Sequence, residues 1–150
     1  MKLNHDFREL LACFDNREVR YLIIGGWALA MHGIVRLTKD LDVWVLPDAV
    51  NAEAVMLALS DFGFGELGLT ASDFMEPDLV IQLGYPPNRV NLITTPTGVD
   101  FNDCWTDRVE VDMDGLRVPF LGRDGLIANK VATGRPQDLL DVANLEQQDL

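Results

Sequence analysis

The sequence predicts one domain of the α/β or α+β class, in which a mixed β-sheet is flanked by helices. Strand-like apolar runs alternate with helical patterns in the first half of the chain, and two hairpin patterns follow in the second half. The chain has 150 residues, of which 48% are hydrophobic and 24% are charged. This composition is enough to bury a core and excludes intrinsic disorder. No linker or repeat divides the chain, so we expect a single domain over residues 1–150.

The first half of the chain predicts a helix, a strand, a helix, a strand and a helix, in that order. Apolar residues at helical spacing mark the first and last of these helices, and short apolar runs mark the strands. Glycines follow the first strand and the second and third helices, where they allow turns. The predicted elements are a helix through residues 7–14 capped by Asp6, strands at 21–24 and 41–45, and helices at 27–31 and 48–62.

The second half predicts two β-hairpins and two terminal helices. The clearer hairpin joins strands 109–113 and 116–120 through Asp114-Gly115, a dipeptide that favours two-residue turns. The other hairpin pairs strands 79–83 and 90–93 across a proline-rich turn. The remaining predictions are a helical turn at 72–76, helices at 124–133 and 136–148, and cap and turn positions for Asp103 and Trp105.

Acidic residues outnumber basic residues: the chain has 24 Asp and Glu and 12 Lys and Arg, which gives a net charge of −12. A domain with this charge repels phosphate backbones, which excludes a broad nucleic-acid-binding surface. Divalent cations and cationic small molecules are favoured as partners. No apolar run reaches the roughly 20 residues of a membrane span, and the start lacks the apolar core of a signal peptide. We therefore expect a cytoplasmic protein without membrane contact.

Two adjacent glycines, Gly25 and Gly26, follow the first predicted strand and precede a short helix. Glycines in this position let backbone N–H groups approach an anion closely, and a helix N-terminus favours phosphate. The arrangement is typical of a phosphate-binding turn. A tight turn from strand to helix without any ligand would use the same two glycines, so this alternative stays open.

Two carboxylates lie two residues apart on the second predicted strand. Asp40 and Asp42 alternate with Leu41 and Val43, so their side chains share one face of the sheet at a separation of about 6 to 7 Å. Two carboxylates this close repel each other unless a divalent cation lies between them. Such a cation could bridge the phosphates of a nucleotide. The alternative is a solvated edge of the sheet with no ligand.

Taken together, the segment from Gly25 to Asp42 resembles the signature of the polymerase-beta-type nucleotidyltransferase superfamily. Within that superfamily it is similar to AbiEii-type toxin nucleotidyltransferases and to small antibiotic adenylyltransferases, which often have His where this chain has Thr38. The C-terminal segment resembles the Lys, Arg and Asp motif of the AbiEii-type enzymes. The residues that carry the resemblance are Gly25-Gly26-Trp27-Ala28, Gly33, Arg36, Thr38, Asp40 and Asp42, followed by Lys130, Arg135, Asp138 and Asp141.

The resemblance implies a nucleotidyltransferase-like fold and transfer of a nucleoside monophosphate from a nucleoside triphosphate (NTP) to a hydroxyl or amine. The implied cofactor is Mg²⁺, and the acceptor would be an RNA, a protein or a small molecule. Asp138 would orient a lysine or act as a base. By the same resemblance, Asp40 and Asp42 would bind Mg²⁺, and Gly25, Gly26, Arg36, Thr38 and Lys130 would hold the triphosphate.

The chain departs from the pattern of this superfamily at one position. Such enzymes usually carry a third carboxylate on a neighbouring strand, which completes the metal site and helps to deprotonate the acceptor. The matching residue is Asn91, an amide that can offer an oxygen to Mg²⁺ but cannot act as a base. Asp100 could substitute, although its position is more typical of a turn or a cap.

Two functions therefore remain open, and both rest on the paired acids. The first is a nucleotidyltransferase of the toxin-antitoxin or antibiotic-modifying type. The second is a catalytically weakened homologue that binds a nucleotide or a partner chain. A purely structural role is disfavoured, because Asp40 and Asp42 would then repel each other without any gain.

Overall fold

The computed structural model describes residues 3–35 and 40–148, in which six strands form one sheet of order β3-β4-β2-β1-β6-β5. The strands are β1 Tyr21–Ile24, β2 Leu41–Val45, β3 Val80–Leu83, β4 Val90–Ile93, β5 Val109–Met113 and β6 Leu116–Phe120. The helices are α1 His5–Asn16, α2 Gly25–Met31, α3 Ala49–Phe62, α4 Phe101–Thr106, α5 Arg123–Thr133 and α6 Pro136–Gln147, with a 3-10 turn at Ala71–Met75.

Parallel and antiparallel pairings occur in the same sheet. Strand β1 pairs antiparallel with β2 and parallel with β6, and β2 pairs parallel with β4. The hairpins β3-β4 and β5-β6 form the two edges. The predicted class, a mixed sheet flanked by helices, is thereby confirmed. These pairings also place Ile24, Asp42 and Asn91 in one row across β1, β2 and β4.

The side chains of β2 point alternately to the two faces of the sheet. Leu41, Val43 and Val45 are fully buried in the hydrophobic core. Trp44 shares the face of Asp42, because the two residues are two positions apart on the strand. The centroid of its indole ring lies 5.1 Å from the centroid of the Phe101 ring of α4, in an edge-on arrangement. Through Phe101, α4 therefore packs on the face of the sheet that carries Asp42.

The structure corrects the predicted helices at three places. The side chain of Asn4, rather than that of Asp6, accepts a hydrogen bond from the first turn of α1. Helix α2 begins at Gly25 directly after β1, without a separate turn. Asp103 and Trp105 lie inside α4, a helix of 6 residues that is too short to show an apolar repeat in the sequence. In the described ranges, no helix is long and apolar enough to cross a bilayer.

The side chain of Asn51 connects α3 to the chain segments that flank β1 and β2. Its Oδ1 accepts from the backbone N–H of Arg20 at 2.7 Å. Its Nδ2 donates to the carbonyls of Arg20 at 3.0 Å and Leu46 at 2.9 Å. Asn51 is 5% exposed, and the Arg20 and Leu46 carbonyls each accept a second hydrogen bond from the backbone, from Leu46 N–H and Asp48 N–H. The amide therefore matters most for the Arg20 N–H, to which it offers a buried acceptor.

Replacing this amide with an apolar side chain of similar size should destabilise the fold. We expect Asn51→Leu to lower the free energy of unfolding by about 2 kcal/mol, because the Arg20 N–H loses its buried acceptor. Urea denaturation of the variant and of the exposed control Asn102→Leu on α4 measures the difference. Equal stability of the two variants would contradict this role for Asn51.

Candidate active site

Asp42 of β2 and Asp40, which immediately precedes β2, lie beside the side-chain amide of Asn91 on β4. Asn91 Nδ2 donates a hydrogen bond to Asp42 Oδ1 at 2.8 Å and to Asp40 Oδ2 at 3.2 Å. The guanidinium of Arg89 lies 3.7 Å from Asp40 Oδ2, which makes it a weak ion pair at the edge of the group. The structure thus brings together Asp40, Asp42 and Asn91, the three residues to which the sequence assigned the metal site.

The carboxylate of Asp42 lies directly against the backbone of Gly25. A Cβ atom at position 25 would overlap this carboxylate, and Gly25 has a φ of +67° that disfavours residues with a side chain. Glycine is therefore required there for two independent reasons. Gly26 follows as the second residue of α2. The acids and the start of α2 consequently form one continuous surface.

Electrostatics at the acids favour a cation. Burial raises the pKa of Asp42, the hydrogen bond from Asn91 opposes this shift, and the charge of Asp40 adds to it. The folded chain therefore holds the negative charge of Asp42 at a free-energy cost. A bound cation would remove that cost by offsetting both carboxylates.

The ligands on this surface suit Mg²⁺ in their chemistry, although one carboxylate is missing. Among residues 3–35 and 40–148, no group of three or more His, Cys, Asp or Glu is placed to hold a metal ion. Asn91 Oδ1 is buried without a hydrogen-bond partner. Rotation of this amide by half a turn would exchange Nδ2 for Oδ1 and present an oxygen towards the acids. Two carboxylates and one amide oxygen are ligands that Mg²⁺ accepts.

A cleft of about 540 Å³ extends from Asp42 to the C-terminal helices, and Asp40 and Asn91 are not among the residues that line it. Gly25 and Asp42 line one part of it, and Lys130, Arg135 and Asp138 line another. The N-terminal and C-terminal motifs of the sequence therefore face the same space. Asp100 does not line this cleft, and its side chain caps α4 instead.

Lys130 lies at the centre of a buried ion-pair cluster between α5 and α6. Its Nζ donates to Asp141 Oδ2 at 2.8 Å and lies 3.4 Å from Asp138 Oδ1. Thr133 Oγ1 and Arg135 Nε each donate to Asp138 Oδ2 at 2.7 Å. The side chains of Lys130, Asp138 and Asp141 are exposed by only 10%, 8% and 0%. The cluster thus joins the two helices through charges that are paired with each other.

The surroundings of Asp138 favour its ionised form. Burial acts to raise its pKa, but the hydrogen bonds from Thr133 and Arg135 and the charge of Lys130 outweigh burial and lower the pKa to about 2. A carboxylate with such a low pKa is a weak base at neutral pH. Of the two roles that the resemblance implied for Asp138, the geometry favours the orientation of Lys130.

Two site residues that the sequence suggested, Arg36 and Thr38, lie outside the described residues. The sequence also left Asp141 without a role, although it belongs to the C-terminal motif. The signal was present in the spacing: Asp138 and Asp141 lie three residues apart and share one helix face. An acidic helix face is usually solvated, however, and the sequence alone does not show that α5 brings a lysine against it.

The mixed sheet flanked by helices is a nucleotidyltransferase-type fold. The chain is a member of the family described as "Nucleotidyltransferase of unknown function (DUF6036)", whose sequence model matches residues 1–148. The predicted relation to the nucleotidyltransferase superfamily is thereby confirmed. No curated protein matches the chain in sequence.

Solved structures of low sequence identity share the fold. The lincosamide antibiotic adenylyltransferase LnuA, bound to lincomycin, is 14% identical with a TM-score of 0.52, and the match covers 97% of each chain. A nucleotidyltransferase-type protein, TM1012 from Thermotoga maritima, is 15% identical with a TM-score of 0.52, covering 99% of this chain and 91% of its own. An antigenic nucleotidyltransferase-like protein from Paracoccidioides brasiliensis is 17% identical with a TM-score of 0.51, and the match covers 93% of this chain and 74% of that protein.

Removal of the buried lysine charge should destabilise the fold strongly. We expect Lys130→Met to lower the free energy of unfolding by about 3–5 kcal/mol, because the fully buried Asp141 loses its 2.8 Å ion pair with Lys130. The control Arg117→Met removes an exposed cation from a surface ion pair and should cost less than about 1 kcal/mol. Denaturation in urea measures both. If Lys130→Met were as mild as its control, the cluster would not stabilise the pairing of α5 and α6.

The low pKa of Asp138 predicts a specific pH dependence. A carboxyl group whose pKa is lowered on folding contributes stability above its unfolded pKa of about 4. That contribution is lost as the pH falls towards the folded value of about 2. We therefore expect Asp138→Asn to be less stable than the unmodified chain at pH 7, and the difference to shrink between pH 4 and pH 2. Urea titrations at several pH values test this, and a difference that stays constant over this range would contradict it.

Proposed function

We propose that this chain is a Mg²⁺-dependent nucleotidyltransferase that moves a nucleoside monophosphate from ATP or another NTP to a hydroxyl or amine acceptor. The observation that carries the proposal is the position of Asp42 against Gly25, beside Asp40 and at the cleft that Lys130 also lines. Paired acids beside the start of a helix, at a cleft that a lysine also lines, supply what this reaction needs, which is positioning and charge compensation.

In the proposed reaction, the acceptor oxygen or nitrogen forms a bond to the α-phosphorus, and the bond to the bridging oxygen of the β-phosphate breaks. Pyrophosphate leaves, and the acceptor loses one proton. Asp40 and Asp42 would hold Mg²⁺, which supplies positive charge opposite the phosphate oxygens. Gly25 lets the Asp42 carboxylate lie against the start of α2, and both residues line the cleft in which the triphosphate would bind. Asn91 cannot take the proton of the acceptor, so the proton passes to a carboxylate or to water.

The acceptor that best suits the charge of this chain is a cationic small molecule. The net charge of −12 attracts such a compound and repels RNA unless a local basic surface or a partner protein holds it. An RNA or protein acceptor, as in a toxin-antitoxin pair, is the competing class, and the C-terminal Lys130-Asp138 motif supports it through its resemblance to AbiEii-type enzymes. Both acceptor classes belong in the test of this proposal.

One observation favours a second function, a weakened homologue that binds nucleotide without transferring it. Asn91 lies where a third carboxylate would complete the metal site, and its Nδ2 already bridges Asp40 and Asp42. A neutral amide lowers the affinity for Mg²⁺ and removes a base. Binding of ATP with Mg²⁺ but without turnover would support this function over transfer.

Transfer should depend on Asp42. We expect Asp42→Asn to abolish transfer of label from α-labelled NTPs, because the variant keeps the shape of the side chain but loses its charge. The variant should remain folded, since it removes a carboxylate whose pKa is raised by burial. The assay uses each NTP with Mg²⁺ and a panel of amino sugars, RNAs and proteins, and Asp103→Asn on α4 is the control. Transfer by Asp42→Asn at the unmodified rate would refute the site, and no transfer to any acceptor would favour the second function.

The position of Asn91 can be tested by restoring the missing acid. We expect Asn91→Asp to melt at a lower temperature than the unmodified chain without Mg²⁺, because three carboxylates would then lie together. Added Mg²⁺ should reverse this loss and bind about tenfold more tightly than in the unmodified chain. Thermal melting with increasing Mg²⁺ measures both effects. If Mg²⁺ stabilised the two proteins equally, Asn91 would not face the metal site.

A further inference from the structure

Among the residues that the structure describes, two cations line the cleft, and their surroundings differ strongly. The Lys130 side chain is 10% exposed, whereas the Arg135 side chain is 76% exposed. Both residues belong to the C-terminal motif and line the same cleft as Asp42. The question is which of the two would meet an anionic ligand in this space.

Lys130 forms buried ion pairs that cannot be broken without a large free-energy cost. Its ammonium group contacts Asp138 and Asp141, and Asp141 is fully buried. Contact with a phosphate would require Lys130 to give up its 2.8 Å ion pair with the buried Asp141. Two of the three N–H donors of Lys130 already face Asp138 and Asp141, so at most one is available to a ligand.

Arg135 keeps most of its hydrogen-bonding capacity. Its Nε donates to Asp138 Oδ2 at 2.7 Å, and this is its one hydrogen bond to the residues that the structure describes. A guanidinium group has five N–H donors, so both Nη atoms retain their four N–H groups for a ligand. Asp138 fixes the guanidinium from one side, which reduces the conformational entropy lost when a ligand binds.

We propose that Arg135 is the residue of the C-terminal segment that contacts the β- and γ-phosphates of the bound NTP, while Lys130 holds Asp138 in place as a positioning residue. This inference rests on the proposed function. Planar guanidinium donors match phosphate oxygens in pairs, which makes arginine well suited to this contact. The ion-pair cluster of Lys130, Asp138 and Asp141 then serves as the rigid base from which Arg135 reaches into the cleft.

The test compares ligands that differ only in their phosphates. Binding of ATP, ADP and AMP to the folded chain with Mg²⁺ is measured by calorimetry for the unmodified protein, Arg135→Gln and Arg135→Lys. We expect Arg135→Gln to weaken ATP binding roughly tenfold or more and to change AMP binding less than about twofold. Arg135→Lys should recover part of the loss, because a point charge remains but the paired hydrogen bonds do not.

The control is Arg117→Gln on β6, an arginine that is 79% exposed and does not line the cleft. It removes the same charge and should leave the affinity for all three nucleotides unchanged. An equal loss of ATP and AMP affinity in Arg135→Gln, or no loss at all, would overturn the assignment of Arg135. If the unmodified chain bound none of the nucleotides, the proposed function itself would fail. If the unmodified chain bound ATP and Arg135→Gln bound it equally well, only the assignment of Arg135 would fail.

Discussion

The close approach of the Asp42 carboxylate to the backbone of Gly25 is the constraint on which the site depends. It requires glycine at the junction of β1 and α2, both for space and for the positive φ. It also requires the antiparallel pairing of β1 with β2, which places Ile24 opposite Asp42. The parallel pairing of β2 with β4 then brings Asn91 alongside. The order of the central strands therefore decides which side chains meet at the acids.

The C-terminal cluster and the pair of Asp40 and Asp42 differ in how well their charges are balanced. In the C-terminal cluster, Lys130 and Arg135 offset Asp138 and Asp141, and hydrogen-bond donors lower the pKa of Asp138 to about 2. At Asp40 and Asp42, burial raises the pKa of Asp42, and the bridging partner is a neutral amide. The cluster is thus stabilised by pairing within the fold, whereas the pair of acids would gain from a bound cation. This asymmetry is typical of a binding site held by a rigid scaffold.

Most elements of the fold could be predicted from the sequence, because strands and long helices leave a clear apolar pattern. Both hairpins follow from their turn residues, and the alternation around Asp42 places that acid on one face of a strand. Helix α4 could not be found, since it lacks the length to show a period. The order of the strands and the burial of Asp141 depend on contacts between distant segments, which periodicity does not report. The sequence therefore indicates which polar residues are candidates for a site, but it does not indicate how their charges are balanced in the fold.

Asn91 shows how a single amide changes the physics of such a site. A carboxylate in its place would add a third negative charge beside two that already repel, and the fold would be less stable without a cation. The amide instead donates to Asp40 and Asp42 and partly offsets the repulsion between them. The same hydrogen bonds would compete with a cation for those carboxylates, so Mg²⁺ would have to displace Nδ2 before it could bind both acids. In the proposed site, Asn91 would thus stabilise the metal-free fold and weaken the binding of Mg²⁺, and both effects would arise from the same contact.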